Sequence, residues 1–232
     1  MKTLHLLLWL VAIQLSAQEI DASLTLKGTF TTSTRFLYDI DREIYSGERV
    51  LESNYGFGVD VRWKMLWDRF YGGVSVEKIR ASEVSYVVYT HLNNLSVPTE
   101  EGFEMTAVEL SGYYIVPISS DKVHFYIGGG FGLYDGERIH TYADVRAVTI
   151  SSTSNIGIHV MTGIDYAISE RFAVRGELKF RDPHFDVTDT FDQSTATYRG
   201  YTIQIPLHDR QERTTRVNLF GVNYMIGMVV TL

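Results

Sequence analysis

The sequence predicts an all-β fold: an eight-stranded antiparallel up-and-down transmembrane β-barrel with short periplasmic turns and long extracellular loops. Three observations predict it. Eight segments alternate apolar and polar residues with a period of two, which is the period of a β-strand. The connections between these segments are alternately short and long, as in outer-membrane barrels. The last segment, 217–232, carries an apolar face that no later segment covers, so this face must meet either an interior or lipid.

The composition favours a single β domain and excludes several kinds of site. The 232 residues are 45% hydrophobic and 13% aromatic, with 15 tyrosines and 12 phenylalanines, which are residues that favour strands. The absence of cysteine excludes disulfides and metal–thiolate centres. The formal net charge is −7 and lysine and arginine do not cluster, so we expect no nucleic-acid partner.

The N-terminus reads as an export signal. A short basic start is followed by an apolar run, 4–15, and then by the small residues Ser16 and Ala17. We therefore predict a signal peptide at 1–17 and one barrel domain at 18–232. Beyond Leu15 no apolar run approaches the roughly 20 residues that a membrane helix needs, so strands must provide any membrane insertion.

The strands are predicted from alternation and from the turns between them. In chain order they are 22–38, 51–66, one that begins near Phe70, 105–118, 123–134, 156–168, 172–181 and 217–232. Short turns fall at 67–69, 119–121 and 169–171, whereas long polar connections fall at 39–48, 80–103, 135–155 and 182–213. Within 80–103, Val84, Tyr86 and Val88 keep β character, so we expect this hairpin to project beyond the membrane; the stretch 198–206 is also β-like. An even number of strands puts both ends of the mature chain on the periplasmic side.

Alternation alone does not say which face lies inside. The apolar face is continuous over all eight strands and carries aromatic residues near the strand ends, as in the girdles of membrane barrels. Examples are Trp63, Tyr114, Phe125, Tyr166 and Phe172 near the short turns, and Tyr55, Phe131, Phe180 and Phe220 near the long loops. We therefore expect the apolar face to point outward. The reverse arrangement would be a soluble, lipocalin-like carrier.

The opposite face is rich in glycine and charge, and it predicts an interior charge network. Its members are Lys27, Asp60, Arg62, Lys64, Glu77, Glu109, Asp165, Arg175, Glu177 and Lys179. Five are basic and five acidic, and a lone buried charge is costly, so we expect ion pairs that plug the lumen and have a structural role. His124 and His159 share this face, but no convergent set of ligands predicts a metal or any other cofactor.

These features together resemble the small OmpA/OmpX-type outer-membrane β-barrel family. The resemblance rests on the export signal, the eight alternating strands, the glycine-rich segment 126–132 and the final strand. It implies an outer-membrane protein of a Gram-negative-type bacterium. It also implies that Gly227, Val230 and Leu232 form a C-terminal signal read by the assembly machinery.

The expected function is non-enzymatic: envelope structure, or surface interaction with an extracellular ligand through the long loops. We predict no catalytic residue, contact with outer-membrane lipid, and a monomer. Two alternatives stay open at this point. One is a narrow channel for small solutes. The other is a lipid A-modifying enzyme, for which Ser152 or Ser154 with His184 and Asp182 or Asp186 offer a conceivable Ser-His-Asp relay.

Overall fold

The computed structural model describes residues 21–38, 48–65, 67–92, 94–207, 209–219 and 221–232. The predicted signal peptide, 1–17, lies outside them. The strands are β1 (Ala22–Tyr38), β2 (Glu48–Lys64), β3 (Phe70–Tyr89), β4 (Leu95–Ile115), β5 (Val123–Tyr142), β6 (Val145–Arg146), β7 (Val148–Thr153), β8 (Asn155–Ala167), β9 (Phe172–Arg181), β10 (His184–Thr190), β11 (Thr195–Tyr198), β12 (Tyr201–Gln204), β13 (Arg213–Asn218) and β14 (Gly221–Thr231). One 3₁₀ turn spans Thr90–Leu92. Within the described ranges, no helix is long and apolar enough to cross a membrane.

Eight strands close into an antiparallel barrel. Their order is β1, β2, β3, β4, β5, β8, β9 and β14, and β14 pairs with β1 to close the sheet. The closing ladder runs from Ser23 opposite Thr231 to Thr31 opposite Asn223. A closed sheet leaves no unpaired edge within the bilayer, where an unpaired backbone group is costly. The predicted fold class is confirmed.

Strands β1 to β5 are much longer than a bilayer requires. A membrane-spanning strand needs roughly 9–11 residues, whereas β1 has 17 residues, β3 has 20 and β4 has 21. On the other side of the barrel, β7, β10 and β13 continue the lines of β8, β9 and β14 outward. There β13 pairs with β1 and β10, and β10 pairs with β7. The barrel therefore projects beyond the membrane as an extracellular extension.

Much of this extension lies in segments that the sequence predicted to be polar connections. The segment 80–103 forms the outer parts of β3 and β4, paired as far as Tyr89 and Leu95, which confirms the projecting hairpin expected from its β character. The reason is visible in β4, where the apolar residues change from the outward-facing to the inward-facing positions of the strand. Glu109 points inward within the membrane, whereas Phe103 and Met105 point inward above it. Water replaces lipid outside the wall at that level, so the two faces exchange polarity.

The membrane half of the wall is apolar outside, as predicted. The outward, exposed side chains include Leu26, Phe57, Val59, Val76, Leu110, Ile127, Ile158, Val160, Ile226 and Met228. Aromatic rings border this belt at both ends. Ring centroids of Phe30 and Tyr55 lie 5.3 Å apart near the outer end, and those of Phe70 and Tyr114 lie 5.0 Å apart near the periplasmic end. The reversed, lipocalin-like arrangement is therefore wrong.

A separate hairpin of β11 and β12 covers the outer end of the extension. Its turn holds Arg199 at φ 50° and Gly200 at φ 82°, the pair of positive φ values that a two-residue type I′ turn requires. Ala196 and Ile203 on the hairpin are buried against Val97 and Tyr142. The hairpin is thus packed onto the barrel.

Candidate functional site

The barrel interior gathers most of the predicted charge network. Eight of its ten predicted members are buried: Lys27, Asp60, Arg62, Glu77, Glu109, Arg175, Glu177 and Lys179. Asp165 is half-buried near the periplasmic end, where it accepts from Arg175. These side chains come from β1, β2, β3, β4, β8 and β9, because alternate residues of each strand face the lumen.

The lower part of the network joins two arginines to three carboxylates. Arg62 Nε donates to Asp60 Oδ2 at 2.7 Å, and its Nη2 donates to Glu177 Oε2 at 2.7 Å. Arg175 bridges Asp60 at 3.0 Å and Asp165 at 2.7 Å. Each arginine therefore contacts two carboxylates. These bonds tie together strands that lie on different sides of the barrel.

The upper part of the network is centred on Glu109. Its carboxylate accepts from Lys179, from Arg181 Nη1 at 3.1 Å and from the Tyr134 hydroxyl at 3.0 Å. Arg181 also makes two bonds of 3.0 Å to Glu77, one to each carboxylate oxygen. This bidentate geometry is the strong form of an arginine–carboxylate pair. Lysine, arginine and two glutamates thus fill the lumen at one level.

The sequence assigned one residue wrongly to this network and omitted one central member. Lys64 is exposed, and it pairs with Asp68 of the periplasmic turn at 3.4 Å, because it ends β2 at the barrel rim. Arg181 was omitted although it is buried at the centre of the network. It shares the inward alternation of Arg175, Glu177 and Lys179, and that signal could have identified it.

The glycines of β5 make room for the network and the rings beside it. Gly128, Gly130 and Gly132 alternate between inward Tyr126 and Tyr134. A Cβ on Gly130 would lie 2.0 Å from the Leu110 carbonyl oxygen, so this position cannot carry a side chain without a backbone shift. The glycine-rich segment is therefore a packing requirement of the wall.

Aromatic rings pack beside the lower part of the charge network. Tyr113, Tyr126 and Met161 form a buried cluster near the periplasmic end. The Arg62 guanidinium carbon lies 3.7 Å from the Tyr113 ring centroid and 4.7 Å from that of Tyr126. Such cation–π contacts stabilise a desolvated arginine.

An apolar plug closes the lumen above the charges. It comprises the buried side chains Phe36, Leu51, Ile79, Phe103, Met105, Ala107, Tyr134, Phe185, Val187, Val217 and Leu219. They come from strands all round the barrel, so their packing forms a layer across the interior. The plug is the hydrophobic core of the extracellular extension.

A second ion cluster lies between the plug and the terminal hairpin. Arg138 Nη1 donates to Asp189 Oδ1 at 3.0 Å and to Thr215 Oγ1 at 3.2 Å, and Nη2 donates to Glu101. Arg49 Nη1 donates to the other oxygen of Glu101 at 3.0 Å. The sequence did not predict this cluster, because its members lie in segments expected to be loops.

Opposing effects set the ionisation of this second cluster. Burial by itself disfavours the charged form of Glu101, but Arg138 outweighs burial and holds the pKa of this carboxyl below its ordinary value. Burial raises the pKa of the Tyr38 phenol, and the neighbouring Glu101 carboxylate raises it further. Burial works against the charge of Arg138, yet Asp189 and Glu101 keep its pKa above the ordinary value.

The predicted C-terminal signal residues lie on β14 and at the end of the chain. A Cβ on Gly227 would lie 2.8 Å from the Leu26 carbonyl oxygen, so glycine allows β1 and β14 to approach closely at the closing seam. Val230 is half-buried and Leu232 is 76% exposed. Their recognition by assembly machinery stays a prediction.

The residues of the conceivable Ser-His-Asp relay are engaged elsewhere. Ser154 Oγ donates to Asp135 at 2.9 Å, His184 Nε2 contacts the Asn155 amide, and Asp186 accepts from Arg216 at 2.7 Å. No serine–histidine–carboxylate chain is formed by these residues. Throughout the described part of the chain, no three histidine or acidic side chains converge closely enough to hold a metal ion.

A closed eight-stranded barrel with a lipid-facing belt and a paired polar interior defines an outer-membrane β-barrel protein, and this chain is one. Its fold is similar to that of the outer membrane protein OprG from Pseudomonas aeruginosa, with a TM-score of 0.57 and 13% identity over 91% of this chain and 96% of that one. Neisserial surface protein A also matches, with 11% identity, coverage of 91% and 97%, and a TM-score of 0.48. Ail of Yersinia pestis matches with 12% identity, coverage of 93% and 100%, and a TM-score of 0.47.

No protein-family model matches the sequence, and no characterised protein matches it in a sequence search. The similarity to solved structures therefore establishes the fold: that of the small eight-stranded outer-membrane barrels which the OmpA/OmpX-type resemblance implied.

Removing Arg181 should destabilise the barrel strongly. Arg181→Met leaves Glu77 and Glu109 buried with too little positive charge, so we expect a loss of about 3–5 kcal/mol in the free energy of unfolding. Urea unfolding in lipid vesicles measures it. The matched control is Lys78→Met, whose exposed pair with Glu104 should be worth no more than about 1 kcal/mol. Equal stability of Arg181→Met and wild type would contradict the role of the network.

Acid should loosen the extension through Glu101. Because the folded-state pKa is lowered, ionised Glu101 stabilises the fold; this contribution is complete above the ordinary pKa of 4.5 and is lost as pH falls through the lower folded-state value. We expect faster amide exchange in the extension under such acidic conditions. Glu101→Gln should be loosened already at neutral pH and should respond less to acid.

The control for this prediction is Glu100→Gln, which alters the opposite face of β4. It should behave like wild type at both pH values. An unchanged acid response in Glu101→Gln would assign the pH dependence to other groups.

Proposed function

We propose that this protein is a non-enzymatic, non-conducting outer-membrane barrel that acts in surface interaction through its extracellular extension. The observation that carries this proposal is the filling of the interior at successive levels. Ion pairs with aromatic rings beside them, an apolar plug and a second ion cluster follow one another along the barrel axis. A wall built to conduct would not need a buried hydrophobic core across its lumen.

The extension supports the proposed role in surface interaction. It extends β1 to β5 beyond the membrane, and the terminal hairpin packs against its β4 and β5 parts. Envelope anchoring alone requires only a membrane-spanning barrel. Binding surfaces are commonly carried on parts that a rigid scaffold projects into solvent.

The closed interior predicts that the wild-type protein carries no ionic current. Purified protein in planar bilayers should show no stable conductance steps at moderate voltage, since each filled layer blocks a water path. A porin inserted under the same conditions is the positive control. Reproducible steps in the wild type that change in Glu109→Gln would contradict the proposal and support the narrow-channel alternative.

The surface-interaction role predicts that the extension mediates retention of cells. We expect a heterologous Gram-negative host that displays the wild-type barrel to be retained on surfaces coated with serum proteins or polysaccharide. A truncated barrel, with the four extensions replaced by Asn-Gly turns, should lose this retention.

Folding of the truncated barrel is checked by its heat-modifiable gel mobility. Equal retention of both strains on every coating would overturn the surface-interaction role.

A further inference from the structure

The wall of the extension is open between β2 and β3. Backbone pairing between these strands ends at Tyr55 and Arg80. Above that pair, β2 is paired with β1 and β3 is paired with β4, each along one edge. Among the described residues, no strand pairs with the two edges that face each other across this gap. Unpaired edges of this kind are templates for strand addition.

The two edges enclose a groove with a volume of about 620 Å³, which we call the β2–β3 groove. Leu51 and Ala81 form its apolar floor, and both pack in the plug of the extension. Tyr55 and Arg80 lie at its lower end, at the outer border of the lipid-facing belt. The groove therefore opens sideways just above the membrane.

Side chains, not backbone ladders, hold the upper end of the groove. Arg49 on β2 reaches Glu83 on β3 at 3.0 Å and Glu101 on β4 at 3.0 Å. The pair with Glu83 is largely exposed, so it contributes little and can yield to a competing ligand. The two edges are thus held near each other by side chains, without backbone hydrogen bonds between them.

The outer face beside the groove is apolar. Val84, Tyr86 and Val88 form a row on alternate positions of β3, and Tyr86 is 63% exposed. A strand with an unpaired edge and an exposed apolar row is normally protected against association. Proline and lysine, the usual protection, are absent from β3 between Ala81 and Tyr89. This feature favours a docking role for the strand.

The charges around the groove favour a basic partner. Glu48 and Glu52 are exposed on β2, and Glu100 lies opposite Val84 on β4. Arg49, in contrast, is already paired with carboxylates. Arg80, at the membrane end, is the exposed cation of the lower rim. Arg35, also exposed, lies one strand away on β1 opposite Val50 and has an interaction of its own. On the two strands that bound the groove, the exposed charges above Arg80 are therefore acidic.

We propose that the β2–β3 groove binds an extended polypeptide segment of an external partner, in which basic and apolar residues alternate, and that this segment adds as a strand to the edge of β3. Backbone hydrogen bonds to the open edge supply the affinity. Basic side chains of the segment face outward, where their aliphatic stems pack on Val84, Tyr86 and Val88 and their ammonium groups reach Glu52 and Glu48. The apolar side chains that alternate with them face inward onto Leu51 and Ala81. The inference names the partner chemistry for the proposed surface-interaction function and rests on it.

The test uses a fluorescent, end-capped octapeptide of alternating valine and lysine with the full-length barrel in lipid vesicles. We expect saturable binding, measured by fluorescence anisotropy. Amide exchange should slow in β3 from Ala81 to Tyr89 and in β2 from Glu48 to Asn54. A peptide with alternate backbone nitrogens methylated keeps the side chains but loses donors, so it should bind at least about tenfold more weakly. A valine–glutamate peptide should also bind more weakly.

Variants locate the site. Tyr86→Ser combined with Val84→Ser should weaken binding about tenfold, since cross-strand contacts are lost. Ile150→Ser, an equally accessible apolar side chain on β7, is the matched control and should leave binding unchanged. Glu52→Lys should weaken binding, whereas Glu137→Lys on β5 should not.

Several outcomes would overturn the inference. Slow exchange of the β3 edge in the free protein would mean that the edge is already paired, and slowing that increases with protein concentration would identify a second copy as its occupant. Equal binding of the methylated peptide would exclude strand addition. Loss of cell retention in the truncated barrel without octapeptide binding would leave the surface-interaction function standing and reject this site. Octapeptide binding without cell retention would support this site and reject the surface-interaction function.

Discussion

Closing a sheet into a barrel satisfies the backbone in lipid, but it leaves a wall whose two faces must each match the medium they meet. In the membrane-spanning half of this barrel the outer face meets hydrocarbon, and the polar side chains point into the lumen. Over the outer half the outside is water, so Phe103 and Met105 can turn inward. The ion network, the plug and the projecting strands all follow from this change of medium along one wall.

Most of the buried charges are acceptable because Arg62, Arg175, Lys179 and Arg181 each meet a carboxylate. Lys27 is buried in the same lumen without an ion pair among the described residues. Arg181 alone joins Glu77, Glu109 and Asn223, which lie on three other strands. Ion pairs of this kind are poor evidence for high stability, since hydrophobic packing can replace them. What they provide is contact across the lumen, since Arg62 of β2 reaches Glu177 of β9 and Arg181 of β9 reaches Glu77 of β3.

The proposed function follows from the division of the wall into a membrane-spanning half and an extracellular half. The interior is filled by side chains, so the proposed surface interaction is assigned to the extension. The β2–β3 groove begins at Tyr55 and Arg80, where the lipid-facing belt ends and where a gap in the wall no longer exposes backbone to hydrocarbon. Open edges are tolerated only beyond that border, and the structure places one there.

The sequence by itself determined the membrane half: eight strands, their order, the outward apolar face and eight buried members of the network, because a period-two pattern assigns each side chain to a face. The tertiary structure decided the rest. The projecting hairpin of 80–103 was expected, but the structure showed that strands also continue through 135–142 and 184–190, which were expected to be polar connections. It brought Arg138, Glu101 and Asp189 together from these three segments. Lys64 shares the inward alternation of the network but lies at the barrel rim. Alternation predicts which face of the wall a side chain is on, and not its position along the barrel axis. Pairing partners and the open edge depend on contacts between distant residues, which no local pattern records.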